Sequence, residues 1–208
     1  MDLEANKEKI IELLWKSVNR FGIIRLVDWL QESDFFTAPA STNGHLAELG
    51  GLAQHSLLVY KLLADKIKYY ITNSQKPDIT AKIKQLLDTI DDESVIVCAL
   101  AHDFCKINFY STENKNVKNP DTGKWETKLA YVIKDQFPYG HGEKSVSILQ
   151  AFINVTPRER LAIRWHMGPF EPNVMFFGHQ QTYQQAMKDP LTVLLYTSDL
   201  EASKILEG

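Results

Sequence analysis

At 208 residues, with 44% hydrophobic and 24% charged side chains, the chain has the balance of a soluble globular protein large enough for one ordinary core. Its 23 basic and 26 acidic residues give a formal charge of −3 and a pI near 6.1, which excludes a generally basic surface that wraps nucleic acid but not a local basic patch. Short apolar runs, an acidic MDLEANKEK start and only two cysteines, Cys98 and Cys105, lead us to expect a cytoplasmic protein with reduced thiols, no membrane span and no secretory signal.

In chain order the pattern is mostly helical. Leu3, Ile10, Leu14 and Val18 recur at helical spacing and predict a helix over residues 3–18. A short second helix is expected over 21–31, followed by a Pro-, Ser- and Gly-rich loop from Ser33 to Gly44. Gly50-Gly51 precedes a long helix to about Tyr70, with Leu52, His55, Val59, Leu62 and Lys66 roughly on one face. A linker with Pro77 and Asp78 leads to a helix near 80–89. The run from Val95 to Leu100 has the apolar continuity of a buried strand. It continues through Ala101 and His102 without a breaker, so we read it as a helix.

Between residues 107 and 137 the texture changes to short extended pieces around Asn119-Pro120-Asp121-Thr122-Gly123, the signature of an inserted β-hairpin. A helix from about Gly142 to Phe152 follows the Pro138-Tyr139-Gly140 break. Thr156-Pro157-Arg158-Glu159 combines a cap, a first-turn proline and a capping-box glutamate, and that helix should end at His166-Met167-Gly168-Pro169. Asp189-Pro190 opens the last helix. No repeat or composition shift divides the chain. We therefore expect one all-α unit over 1–208, with an N-terminal helical extension over 1–40 and the hairpin inserted at 107–137.

The six histidines are not scattered. His102-Asp103 closes an apolar helix, His141 sits between two glycines at a helix start, His166 closes another helix, and His55 lies on an inward face. Asp199 falls among leucines, where a carboxylate needs a partner. Imidazole and carboxylate together hold divalent iron, manganese or zinc, and two such ions about 3.5–4 Å apart can share a carboxylate and act on a phosphoryl group. Spacing alone leaves this open, because no short ligand motif such as His-Glu-x-x-His occurs.

Taken in order, His55, His102-Asp103, His141, His166 and Asp199 resemble the ligand series of the HD-domain metal-dependent phosphohydrolases. The segments that carry the resemblance are Gly50 to Ser56, His102-Asp103-Phe104-Cys105-Lys106, Tyr139 to Ser145 and Arg164 to Gly168, so it covers about residues 40–204. It is closest to phage and bacterial HD-domain hydrolases with a two-metal site, and to the HD part of a bacterial 3′–5′ exoribonuclease. The resemblance implies a helical bundle around two divalent ions: iron, manganese or nickel, with magnesium or zinc as further candidates. It implies that His55, His102, Asp103 and Asp199 hold one ion, that Asp103 bridges to a second held by His141 and His166, and that a metal-bridging hydroxide attacks phosphorus. Lys106 would reach substrate phosphate or the hydroxide, and His45 would contact phosphate or protonate a leaving oxygen.

The chain departs from these relatives in its 107–137 insertion, in having no room for the exoribonuclease's nucleic-acid-binding barrel, and in lacking the Gly-Tyr-Pro triplet of the cyclic-di-GMP hydrolases. The expected substrate is a nucleotide or a short single-stranded nucleic acid, with no membrane involved. A ligand-binding sensor without turnover and a di-iron oxygenase on a related scaffold are the alternatives. Several side chains keep two readings. Trp125, Trp165 and the Phe176-Phe177 pair are core residues or walls that stack a base. Lys144 is a solvated charge or a phosphate contact, Arg164 a salt-bridge residue, and His179 a surface residue. Cys98 and Cys105, seven apart, could share a helical face. Tyr110, Lys115, Lys118, Lys124 and Lys128 make the hairpin locally basic, the place to look for substrate selection.

Overall fold

Apolar side chains three and four residues apart give each predicted helix one sticky face, and these faces meet in a shared core. The computed structural model describes residues 1–73, 81–120, 122–170 and 180–207. Helix α1 (Leu3–Ser17) starts where the Asp2 side chain accepts from the Ala5 N–H, and it buries Ile10, Leu13 and Leu14. Helix α2 (Ile23–Glu32) buries Leu26, Val27 and Leu30. Helix α3 (Gly51–Thr72) packs along α5 (Asp92–Ala101). Helix α5 is capped by Asp91 and buried from Ser94 through Ala101. It is the central rod, which explains why its sequence shows no polar face and could pass for a strand.

Around this centre lie α4 (Ala81–Leu87), α6 (His141–Gln150), α7 (Pro157–Arg164), α8 (Gln180–Ala186) and α9 (Pro190–Glu201). Helix α7 begins with the full capping box foreseen from Thr156 and Glu159. Helix α8 was not predicted. Its Gln-Gln-Thr-Tyr-Gln-Gln-Ala sequence has almost no apolar period, and among the described residues its Tyr183 and Ala186 pack with Trp165. The linker with Pro77 and Asp78, the Phe176-Phe177 pair and His179 lie outside the described residues. No described helix is long and apolar enough to cross a membrane.

The hairpin pairs β1 (Tyr110–Lys118) with β2 (Trp125–Ile133) antiparallel, in a register from Tyr110↔Ile133 to Lys118↔Trp125. Its base is fixed to the bundle: the Lys134 N–H donates to the Phe109 carbonyl at 2.9 Å, and Lys144 Nζ donates to Asp135 at 2.6 Å. Lys144 is buried, with its ammonium 4.9 Å from the Phe109 ring centre, so it is neither a solvated charge nor a phosphate contact. Cys98 and Cys105 are both buried free thiols. Cys105 sits on the 3₁₀ turn Phe104–Lys106 beyond the end of α5, so the two do not share a helical face.

Candidate metal centre

The site is assembled at helix ends, where backbone stops being self-satisfied and side chains can be aimed. Gly50, at φ 79°, and Gly51 open α3. A Cβ on Gly51 would run into the Leu46 carbonyl, so only glycine lets the 38–46 loop fold back against this helix start. That fold-back sets the His45 ring 4.9 Å from the His55 ring one turn into α3. His102 caps the C-terminus of α5, and the 3₁₀ turn that follows brings Lys106 back onto Asp103. Gly142, the second residue of α6, lies against the Arg164 carbonyl at the end of α7, which draws His141 and His166 to one wall. Gly142→Ala should force these helices apart at a cost of about 1–3 kcal/mol. Scanning calorimetry would show this as a lowered Tm, and an unchanged Tm would mean the approach is not rigid.

The imidazoles are oriented by what lies behind them. His102 Nδ1 and His166 Nδ1 each donate to a backbone carbonyl at 2.7 Å, from Ala99 and Ile163 respectively. A carbonyl can only accept, so in the neutral rings both Nε2 atoms face inward as lone pairs. His166 Nε2 is buried without a hydrogen-bond partner. His55 Nε2 lies 3.2 Å from His102 Nε2, 3.1 Å from Asp199 Oδ1 and 3.7 Å from Asp103 Oδ2. Asp103 Oδ2 is 3.5 Å from His102 Nε2, and its Oδ1 is 3.5 Å from His166 Nε2.

Most of these separations are long for hydrogen bonds. Four of the five match the distance between two ligands on one ion, since bonds of about 2.1 Å at tetrahedral or octahedral angles place donor atoms roughly 3.0–3.5 Å apart, and the fifth, His55 Nε2 to Asp103 Oδ2 at 3.7 Å, is slightly longer. His55, His102 and Asp103 thus form a buried group able to hold a metal ion, and His45, His55 and Glu207 form a second group of mutually close donors. Asp103 presents one oxygen to the His55–His102 side and the other to His166, so the arrangement has capacity for one or two divalent ions.

Charge follows the same plan. Burial would raise the Asp103 pKa, but the Lys106 ammonium, 2.6 Å from Oδ2, and His102 hold it well below the usual carboxylate range. Burial also works against the charge of the half-buried Asp199, which its bond to His55 brings down to about 2. Burial opposes the His55 cation, yet Asp199 and Glu207 raise its pKa to about 9. A cavity of about 460 Å³ opens beside these groups, and its walls include His45, Asp103, Lys106, His141, His166 and Asp199. His141 is brought to this wall, where its Nδ1 lies 3.3 Å from the buried Cys105 sulfur. With Nδ1–H donated to that sulfur, Nε2 is left for an ion. Arg164 pairs with Glu143 and stacks on Trp165, and has no place in the cavity wall.

One carboxylate escaped the sequence reading. Glu207 Oε2 accepts from His55 Nδ1 at 2.8 Å, and its side chain is only 3% exposed. An α-helix continuing from Asp199 would bring Leu206, seven residues on, to the same face. The π-helical turn Ala202–Leu206 inserts one extra residue, and the Glu207 N–H bonds the Ala202 carbonyl. Glu207 therefore takes the place that periodicity assigns to a leucine. A carboxylate behind a histidine fixes the ring and raises its basicity toward an ion. Glu207→Ala should lower divalent-metal affinity about 10–100-fold, with Glu207→Gln less affected. Calorimetric titration with manganese measures both, and equal affinity for Glu207→Ala would exclude this positioning role.

No protein-family model, no curated protein and no solved structure matches the chain. The geometry therefore carries the functional argument.

Proposed function

We propose that this protein is a metal-dependent phosphohydrolase of the HD-domain type, built as one unit over residues 1–208 and cleaving phosphoester bonds. The observation that supports the reading best is the ligand-like spacing of pre-oriented imidazole and carboxylate atoms around Asp103, whose two oxygens face two sides. In this reading His55, His102, Asp103 and Asp199 hold one ion, and Asp103, His141 and His166 hold another. Divalent ions in such a donor set polarise phosphoryl oxygens and lower the pKa of coordinated water.

The remaining roles fall to groups on the cavity wall. Lys106 stays protonated: burial works against its charge, but Asp103 raises its pKa above the ordinary value. It thus presents a standing cation to a phosphate group. Burial is the main cause that lowers the pKa of His45 below its ordinary value. Its buried Nε2 has no partner. An N–H at that atom would donate to a phosphoryl oxygen, which fits His45 better than a standing general acid does.

The reading is tested by metal analysis after anaerobic purification, together with hydrolysis of bis(p-nitrophenyl) phosphate in manganese, iron, nickel or magnesium. We expect turnover that a chelator abolishes and added metal restores. A protein that binds no divalent ion, or that binds one and turns over no phosphoester, would overturn it; the latter result is the signature of a sensor module.

A further inference from the structure

The hairpin is unusual for what it leaves uncovered. Trp125 is 72% exposed, Leu129 68% and Ile133 61%. Directly opposed residues of an antiparallel pair share a face. The register therefore places Trp125, Leu129, Tyr131 and Ile133 on the face that also carries Tyr110 and Lys118. The 6.5 Å approach of the Tyr110 and Tyr131 rings and the Thr127 hydroxyl donating to the Asn116 amide oxygen at 2.9 Å agree with this assignment. The hairpin carboxylates among the described residues, Glu113 and Glu126, alternate with Lys115 and Lys128 on the opposite face. One face is thus a stripe of aromatic, aliphatic, amide and hydroxyl groups with a lysine at its tip and no described acid.

This face is continuous with the metal centre. Tyr110 and Ile133 belong both to the stripe and to the cavity wall that contains Asp103, Lys106 and His166. From that wall the nine-residue strands run outward for roughly 30 Å at about 3.4 Å per residue. A protein of net charge −3 can receive a polyanion only where its own carboxylates are cleared away. Exposed aromatic rings beside a cation, leading to a site suited to phosphoester chemistry, are what a chain of nucleotides needs, because bases stack on rings and phosphates seek positive charge. A globular partner seated on the whole stripe would cover Tyr110 and Ile133, which belong to the cavity wall.

We propose that this hairpin face docks single-stranded nucleic acid and delivers one of its phosphodiesters to the cavity. The proposal rests on the phosphohydrolase reading and names its substrate class. Trp125 supplies the outermost stacking surface, Tyr131 and Leu129 continue it inward, and Tyr110 sits at the cavity edge.

The test uses the full chain in EDTA, where no cleavage occurs, with a fluorescein-labelled single-stranded thymidylate 12-mer and anisotropy as the readout. Trp125→Ala, a change at an exposed side chain, should weaken binding about tenfold or more. Lys128→Ala, on the opposite face, should change it less than about twofold. Absence of oligonucleotide binding, equal binding by Trp125→Ala, or a sedimentation-detected dimer that Trp125→Ala dissociates would overturn the proposal. The outcomes separate it from the function it builds on. Metal-dependent hydrolysis of bis(p-nitrophenyl) phosphate with no oligonucleotide binding defeats the docking face alone. Trp125-dependent binding without hydrolysis of either substrate upholds the docking face and defeats the phosphohydrolase reading.

Discussion

Asp103→Asn should reduce the proposed metal-dependent turnover by about 10³-fold, since ions held through this carboxylate would stabilise several kcal/mol of transition-state charge. The reason lies in its two oxygens. Oδ2 faces His55 and His102, and Oδ1 faces His166, so one side chain serves both sides of the donor set. An amide keeps the shape but presents one oxygen and one N–H group, and it removes the charge that balances Lys106. Metal stoichiometry should fall together with activity while the helical circular dichroism spectrum persists. Full activity in this variant would show that the chemistry does not pass through Asp103. Treating the unaltered protein with a chelator should reproduce the loss, and restoring metal should reverse it only there.

The largest effect on stability is expected from Arg20→Ala, at about 3–5 kcal/mol, because the change strands a buried carboxylate. Glu159 is fully buried. Arg20 donates to both of its oxygens, at 2.8 and 2.6 Å, the Ser94 hydroxyl donates at 2.7 Å and the Thr156 N–H at 2.8 Å. The pair joins the segment between α1 and α2 to the start of α7, and Arg20 also reaches Glu93 and the Asn154 carbonyl. For a chain of this size, that loss corresponds to a Tm lower by roughly 6–20 °C. Glu159→Gln in the Arg20→Ala background should recover part of it, because the stranded charge is then gone.

The pH dependence has a definite sign. Burial raises the Glu159 pKa, but the bonds from Arg20 and Ser94 bring it below its ordinary 4.5. A lowered folded pKa contributes stability above pH 4.5 that disappears as pH falls through the folded value. The gap in Tm between Arg20→Ala and the unaltered protein should therefore narrow on acidification below about pH 4.5. A gap that widens there would show that the carboxylate is not the group being stranded.

Much of this architecture was legible in one sequence, for local reasons. The capping box at Thr156 and Glu159, the Asp189-Pro190 start and the turn signals around Asn119 act over three or four residues, and the structure places a helix start or a hairpin turn at each. The ordered histidines and aspartates could be picked out because each sits at a breaker or among apolar neighbours. The partners of those residues were not legible. The capping role of Glu159 can be read from its own four-residue motif. Its ion pair with Arg20, 139 residues away, exists only once α1, α2 and α7 have packed. Glu207 reaches His55 because a π turn breaks the 3.6-residue rhythm on which periodicity arguments depend.

The sequence by itself thus determined the helical class, the inserted hairpin and the residue types available for coordination, because periodicity, caps and breakers are properties of neighbours along the chain. Tertiary structure alone decided the chemistry those residues can attempt. It set imidazole nitrogens and carboxylate oxygens 3.1–3.7 Å apart from helices distant in sequence. It fixed which ring nitrogen faces inward by supplying the carbonyl behind it. It also made the hairpin face that carries no acid among the described residues continuous with the cavity wall. Distances of a few ångströms between remote residues follow from how whole helices pack, and no window of neighbouring residues contains that information.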